Sequence, residues 1–332
     1  MTIMTLLSIA VVGFGVAMYV VLDGFDLGVG ILFPFARKVG NRDLMINSIA
    51  PVWDGNETWL VLNGAVLYGA FSDAYGILFS AWYLAVMILL VALVFRGVAF
   101  EFRARARRKR PWSIAFSIGS VIAAFIQGAL LGSLIHGFKV QDNLFAGAAL
   151  DWLTPFSVTT GIALVAGYGL LGATWLIYRT EGQLQDWCYR AAQYLAAAVA
   201  CFIIVVSIWT PLAFAHIARR WFNLHDLAWL APLPLLAFVD VFALFYALRR
   251  RLERAPFVCA VGLFMLCYIG LVASLWPYLV PWQVGIQAAA TPPQSQRFLL
   301  VGVLLLLPLV LGYTVQAYRV FRGKVTAEDG YH

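Results

Sequence analysis

Apolar runs of about 20 residues recur from one end of the chain to the other, each long enough to cross the hydrocarbon core of a bilayer. Short polar or basic stretches separate them. A stretch such as Leu299 to Leu311 has none of the two-residue alternation that a membrane barrel strand needs, so the runs read as helices. The pattern predicts spans at 5–35, 52–71, 76–100, 113–136, 156–179, 189–215, 227–249, 256–280 and 297–320. The span at 52–71 is the least apolar, because it carries Asp54, Glu57 and Asn63.

Composition agrees with this reading. Of the 332 residues, 63% are hydrophobic and 12% charged, with a mean hydropathy of +0.85, which excludes a water-soluble surface over most of the chain. The connections are too short for a soluble domain, the longest on one side being 137–155 and 281–296. The expected architecture is therefore an all-α polytopic integral membrane protein of about nine transmembrane helices, forming one transmembrane domain over 1–332. Cys188, Cys201, Cys259 and Cys267 lack CxxC spacing and read as packing residues. The first apolar run has no basic segment before it and is too long for a signal-peptide core, so it is expected to remain as a helix.

The net charge of +7 comes from short blocks between apolar runs and reads as topology, with no nucleic acid partner implied. With nine spans, alternate connections carry 18 Lys and Arg on one side and 4 on the other. The positive-inside rule then puts the N-terminus outside and the C-terminus in the cytoplasm. The block FRARARRKR reads as a cytoplasmic patch that meets lipid headgroups.

Ionisable residues inside a span cost about 2.5–3.5 kcal/mol each on insertion scales, which makes the few present here functional candidates. Asp23 and Asp26 lie three apart on one helix face, beside Gly24, Gly28 and Gly30. Asp23 falls roughly 27 Å along the first helix, near the cytoplasmic boundary. Asp54 and Glu57, again three apart, enter from that same side, and Arg96 ends the third span at the same depth, where it can balance a carboxylate. A proton-handling group and an ion-pair network that fixes helix register are both open readings of these five residues. Gln127 and Asp240 near mid-membrane read as polar contacts between helices. His136, His216, His225 and His332 are too few and too peripheral to assemble a haem inside the bilayer, so no cofactor or metal is expected on this chain.

Several strings carry a resemblance. LDGFDLGVGILFPF, MINSIAPVWDGNETWLVLNGAVLYGAF, FRGVAFEFR, QGALLGSLIHG, WPYLVPW and LGYTVQAYRVFRGKV are similar to subunit II of cytochrome bd-type quinol oxidases over nearly the full length. The GYH ending resembles the cyanide-insensitive branch. The resemblance implies two four-helix bundles plus one peripheral helix, in a bacterial cytoplasmic (inner) membrane. It implies a partner, subunit I, that bears haems b558, b595 and d (or b in place of d) and the quinol site, with a small single-helix accessory subunit and a structural quinone or lipid as further companions. The complex oxidises quinol, reduces oxygen to water and builds a membrane potential with protons taken from the cytoplasm. By motif position, Trp53 and Asp54 match a cytoplasmic proton entry and Trp59 a lateral oxygen route, while Asp23, Asp26 and Arg96 also match family positions. Glu57 stands where relatives carry a neutral amide. A secondary transporter, which also uses carboxylates and glycine-rich helices, is the alternative from another class.

Overall fold

The computed structural model describes residues 1–326; His332 and the GYH ending lie outside them. The helices are α1 (Ile3–Leu32), α2 (Val39–Ile49), α3 (Trp53–Ala70), α4 (Ser72–Arg105), α5 (Lys109–His136), α6 (Pro155–Arg179), α7 (Gly182–Ala213), α8 (Ala215–Trp221), α9 (Leu224–Leu230), α10 (Pro232–Arg249), α11 (Ala255–Leu275) and α12 (Pro293–Val320). Among the described residues, eight segments are long and apolar enough to cross a membrane: α1, α4, α5, α6, α7, α10 with part of α9, α11 and α12.

The ninth expected span, α3, is an 18-residue helix whose first half holds Asp54, Asn56, Glu57 and Thr58, too polar to qualify by composition. It nevertheless runs antiparallel along α1. Asn56 meets Asp26 near its start, Asn63 lies beside Gly15 in its middle, and Ala70 shares a cluster with Ile9 at its end. Asn56 is buried against α1, and Glu57 and Asn63 are partly covered by protein, while Asp54 and Thr58 stay exposed at the start of the helix.

α1, α3, α4 and α5 pack as one group, α6, α7, α10 and α11 as a second, and α12 lies against α3 and α1. This is the expected arrangement of two four-helix bundles and a peripheral helix. α6 joins the bundles by packing on both α1 and α5. The closest crossing is at Gly28, where a Cβ would run into the Tyr168 carbonyl and the Gly172 amide. Only glycine allows this backbone-to-backbone approach, which gives two apolar helices their dispersion contact in place of a hydrophobic driving force. Phe25, Leu27, Val29, Leu170, Leu171 and Trp175 fill the core around it.

The boundaries differ from the hydropathy pattern where polar residues extend a helix or a proline-bearing turn ends one. α7 begins at Gly182 and not near 189, because Gln183, Gln185 and Asp186 continue the helix beyond its apolar part. α11 stops at Leu275, before Pro277, and the chain turns into a hairpin of Tyr278–Val280 and Val284–Gly285. A second hairpin pairs Val140–Gln141 with Leu144–Phe145 through Asp142 and Asn143, both at positive φ, as a two-residue turn requires. The short helix α2 was not foreseen. Asp43 ties it to the α4–α5 turn through Arg103 at 2.8 Å and Lys109 at 3.5 Å.

Beyond α12 the chain folds back onto the second bundle. The Val325 amide donates to the Arg179 carbonyl at 2.8 Å, and the Lys324 ammonium donates to the Ile177 and Thr180 carbonyls at 3.2 and 3.1 Å. Lys324 thereby caps the C-terminal end of α6 with a positive charge, where the helix dipole favours one. It also pairs with Glu253 at 3.1 Å.

Candidate functional site: a buried ionic cluster

Four of the five ionisable candidates come together, and the fifth stands just outside. Arg96 and Asp23 are 1% and 0% exposed, with Arg96 Nη1 3.0 Å from Asp23 Oδ1. The same Nη1 lies 3.6 Å from Glu57 Oε2, on a side chain that keeps 25% of its surface exposed. Asp26 is fully buried one turn along α1 from Asp23, and its Oδ2 accepts from Asn56 Nδ2 at 2.7 Å. Asp54 is exposed in the first turn of α3, three residues before Glu57. Arg96 therefore balances Asp23 and Glu57, and not Asp54.

The side chains arrive from α1, α3, α4 and α12, each helix for a local reason. α1 and α3 run antiparallel, which brings the inward face of one Asp pair against the start of the other helix. α4 reaches the cluster because Gly119 of α5 lets it approach closely: a Cβ on Gly119 would come within 2.7 Å of the Ala92 carbonyl and 3.2 Å of Arg96 Cβ. α12 contributes Tyr318, whose hydroxyl donates to Asn56 Oδ1 at 3.1 Å. Asn56 is thus fully engaged, since its amide nitrogen also donates to the Leu22 carbonyl at 3.3 Å.

The ion pair satisfies distance but not hydrogen-bond angle. Both Asp23 oxygens, Asp26 Oδ1 and the three guanidinium nitrogens of Arg96 are buried without a hydrogen-bond partner among the described residues. Buried polar atoms of this kind are ordinarily served by internal water. Chemically, the cluster places three carboxyl groups around one guanidinium, with Glu57 the partly exposed member.

Trp59 is buried on α3 and meets the exposed Phe14 ring edge to face, with centroids 5.8 Å apart. Trp53 packs on Phe100 at 5.1 Å, beside Gly97. Gln127 does connect helices: its Nε2 donates to the Tyr19 hydroxyl at 2.8 Å, and the Tyr168 hydroxyl donates to its Oε1 at 2.9 Å. Asp240 faces Gly262 of α11, with Oδ2 buried and unpartnered. His136 ends α5 against Phe214, His216 stacks on Trp282 at 4.8 Å, and His225 belongs to the short α9. Among the described residues no three His, Cys, Asp or Glu side chains gather as a metal site.

Sequence reasoning missed Asn56, Tyr318, Tyr19 and Tyr168. The signal for the tyrosines was present, because a phenolic hydroxyl in an apolar span needs a partner.

The comparisons with known proteins agree with one another. Residues 4–321 match the family model for cytochrome bd terminal oxidase subunit II. The chain is 30% identical to cytochrome bd-I ubiquinol oxidase subunit 2 of Escherichia coli (strain K12), with 98% of this chain and 94% of that protein covered. It is 27% identical to cytochrome bd ubiquinol oxidase subunit 2 of Bacillus subtilis (strain 168), with 93% of each covered. In fold it is similar to a chain of the bd oxidase from Geobacillus thermodenitrificans, with a TM-score of 0.77 at 16% identity over 96% of this chain and 99% of that one.

Proposed function

The chain belongs to the cytochrome bd terminal oxidase subunit II family, and from that premise we propose that it works beside a haem-bearing subunit I in a quinol:oxygen oxidoreductase, where it stabilises subunit I and carries protons inward from the cytoplasm. The observation behind the proton role is graded burial along one short path. Asp54 is exposed, Glu57 is a quarter exposed, and Asp23, Asp26 and Arg96 are buried.

Reduction of oxygen to water consumes protons, and a low-dielectric interior does not pass them unaided. A carboxylate at the surface can take a proton from water and hand it to a second one turn away. Asp54 and Glu57 have that spacing. Arg96 offsets the charge of the buried carboxylates, so the site never holds several bare negative charges in a dry environment. Trp59 and the lipid-facing Phe14 form an apolar contact suited to oxygen arriving sideways from the membrane. In this reading the basic end of the helices faces the cytoplasm, the N-terminus is periplasmic, and 1–332 acts as one transmembrane domain. The haems belong to subunit I, and this chain's part is structural and protonic.

Asp54→Asn tests the reading, since it keeps size and hydrogen bonding but cannot titrate. The expected outcome is a complex with normal haem content that turns over at least about tenfold more slowly, roughly 1.4 kcal/mol of added barrier. Normal turnover and proton uptake would refute it.

A further inference from the structure

A groove of about 450 Å³ runs along the exposed side of α4 and α5. Small residues form its floor, Ala92 of α4 with Ala115 and Gly119 of α5, and Met87, Phe95 and Ile118, each more than half exposed, stand up as its walls. The trough follows from the helix crossing. Gly119 draws the two backbones together at the Ala92 carbonyl, and the large side chains on either side do not close over the gap.

One end of both helices leads to the α4–α5 turn. Arg105, Arg107, Arg108 and Arg110 are exposed there, and among the described residues none has a carboxylate within ion-pair distance. Arg103 and Lys109 are instead committed to Asp43, and Glu101 is the one acidic residue of 101–112. The basic turn at 249–254 is different, because Arg251 pairs with Asp186 and Glu253 stands within it. Phe102 and Trp112 stack at 5.1 Å between the arginines and the groove, an aromatic pair of the kind that marks the membrane interface.

Depth links the two features. At 34 residues α4 is longer than a bilayer is thick, so its basic end stands at or beyond the headgroups. Phe95 and Met87 lie about 15 and 27 Å along the helix from Arg105, and the bilayer midplane lies roughly 20–22 Å below the headgroup surface. The groove therefore occupies the acyl-chain depth of the leaflet whose headgroups meet the arginines. Topology alone accounts for a basic turn, but not for an apolar trough beneath it. A chain in the trough touches protein on its floor and both walls, a dispersion gain that a smooth helix face does not offer.

We propose that the α4–α5 groove binds one anionic phospholipid, with an acyl chain in the trough and the phosphate held by the arginines of the turn. Guanidinium forks suit phosphate oxygens, whereas a neutral headgroup gains nothing from four unpaired positive charges. The site needs neither the proton role nor the orientation proposed above, and in that orientation it lies in the inner leaflet.

Native mass spectrometry of the assembled complex, with phosphatidylglycerol or phosphatidylcholine added in detergent, tests the site. Phosphatidylglycerol should be retained about tenfold better than phosphatidylcholine, and joint replacement of Arg105, Arg107, Arg108 and Arg110 by Gln should lower its retention at least about fivefold. Replacing Arg249, Arg250 and Arg254 by Gln should leave that lipid in place. Ala115→Phe, which fills the floor, and Phe95→Ala, which removes a wall, should lower retention of both lipids. Equal retention of the two lipids, or equal losses from the two arginine sets, would overturn the proposal. So would a retained mass that fits a quinone in place of a phospholipid. Loss of subunit I from Ala115→Phe, with phosphatidylglycerol retention unchanged in Phe95→Ala, would mean that a partner covers the groove and would also overturn it.

Discussion

Tyr318 donates a hydrogen bond to Asn56 across 262 positions of sequence, and through Asn56 the peripheral helix reaches Asp26. α12 otherwise presents Leu304, Leu305, Leu306 and Leu309 outward, as a helix in contact with lipid or a partner would. Among the described residues, its one side-chain hydrogen bond to α3 goes to the residue that holds a buried carboxylate.

Asn56→Ala should destabilise the complex by about 1–3 kcal/mol, because Asp26 Oδ2 would be left buried without its donor. Tyr318→Phe should cost about 1 kcal/mol, since only the outer bond is lost. Thermal loss of the haem spectrum in purified complexes measures both, and no effect of Tyr318→Phe would mean that Asn56 does not depend on α12.

Arg96→Met should cost about 3–5 kcal/mol and lower assembly, since it strands Asp23 without a counter-charge. The double variant Arg96→Met with Asp23→Asn removes both charges and should recover much of the haem content. No recovery in the double variant would show that the guanidinium matters for packing rather than charge.

Gly28→Val should disrupt the contact between the bundles, at about 1–3 kcal/mol or more, because its side chain would need the space of the Tyr168 carbonyl and the Gly172 amide. Gly76, with open space around it, is the control. Similar losses at both positions would argue against a special crossing.

Acidification should release the C-terminal tail. Hydrogen bonds from Gln185 and Lys324 hold the exposed Glu253 carboxyl below its ordinary value. Its contribution is therefore complete above the unfolded value of about 4.3 and is lost as pH falls through the lowered one. Tryptic cleavage after Lys324 should be slow at neutral pH and faster in Glu253→Gln at the same pH. Equal rates would mean that the bonds of Val325 and Lys324 to the end of α6 hold the tail without Glu253.

Reporter fusions after Arg110 and Lys139 should give cytoplasmic and periplasmic signals respectively. Swapped signals would invert the proposed orientation, and two signals from the same side would remove α5 as a span between them.

The spans were legible because lipid imposes a crude and repeated demand, about 20 apolar residues in a row. The helix that deviates, α3, does so because α1 covers the face that carries Asn56, Trp59, Val66 and Ala70, and hydropathy does not record neighbours. Asp23, Asp26, Glu57 and Arg96 stood out as costly charges in apolar runs, and the cluster does join them. Their pairing was not legible: Asp54 and Glu57 are three residues apart, and only the tilt of α3 against α4 decides which one meets Arg96. Tyr318 was hidden because tyrosine is common at membrane boundaries, where it needs no protein partner, whereas Tyr168 lies mid-span in α6, where its hydroxyl signalled a partner.

The distance in sequence between Asn56 and Tyr318 is also a distance in time. At about 5–20 residues per second of synthesis, Tyr318 is made roughly 13–52 s after Asn56. For most of that interval α1, α3 and α4 are in the nascent chain while Asn56 lacks its outer donor, and Lys324, which caps α6, comes later still. α12 therefore acts as a latch: Asn56 acquires its outer hydrogen bond only once Tyr318 has been made, so a product cut short before α12 would be an unlatched subunit.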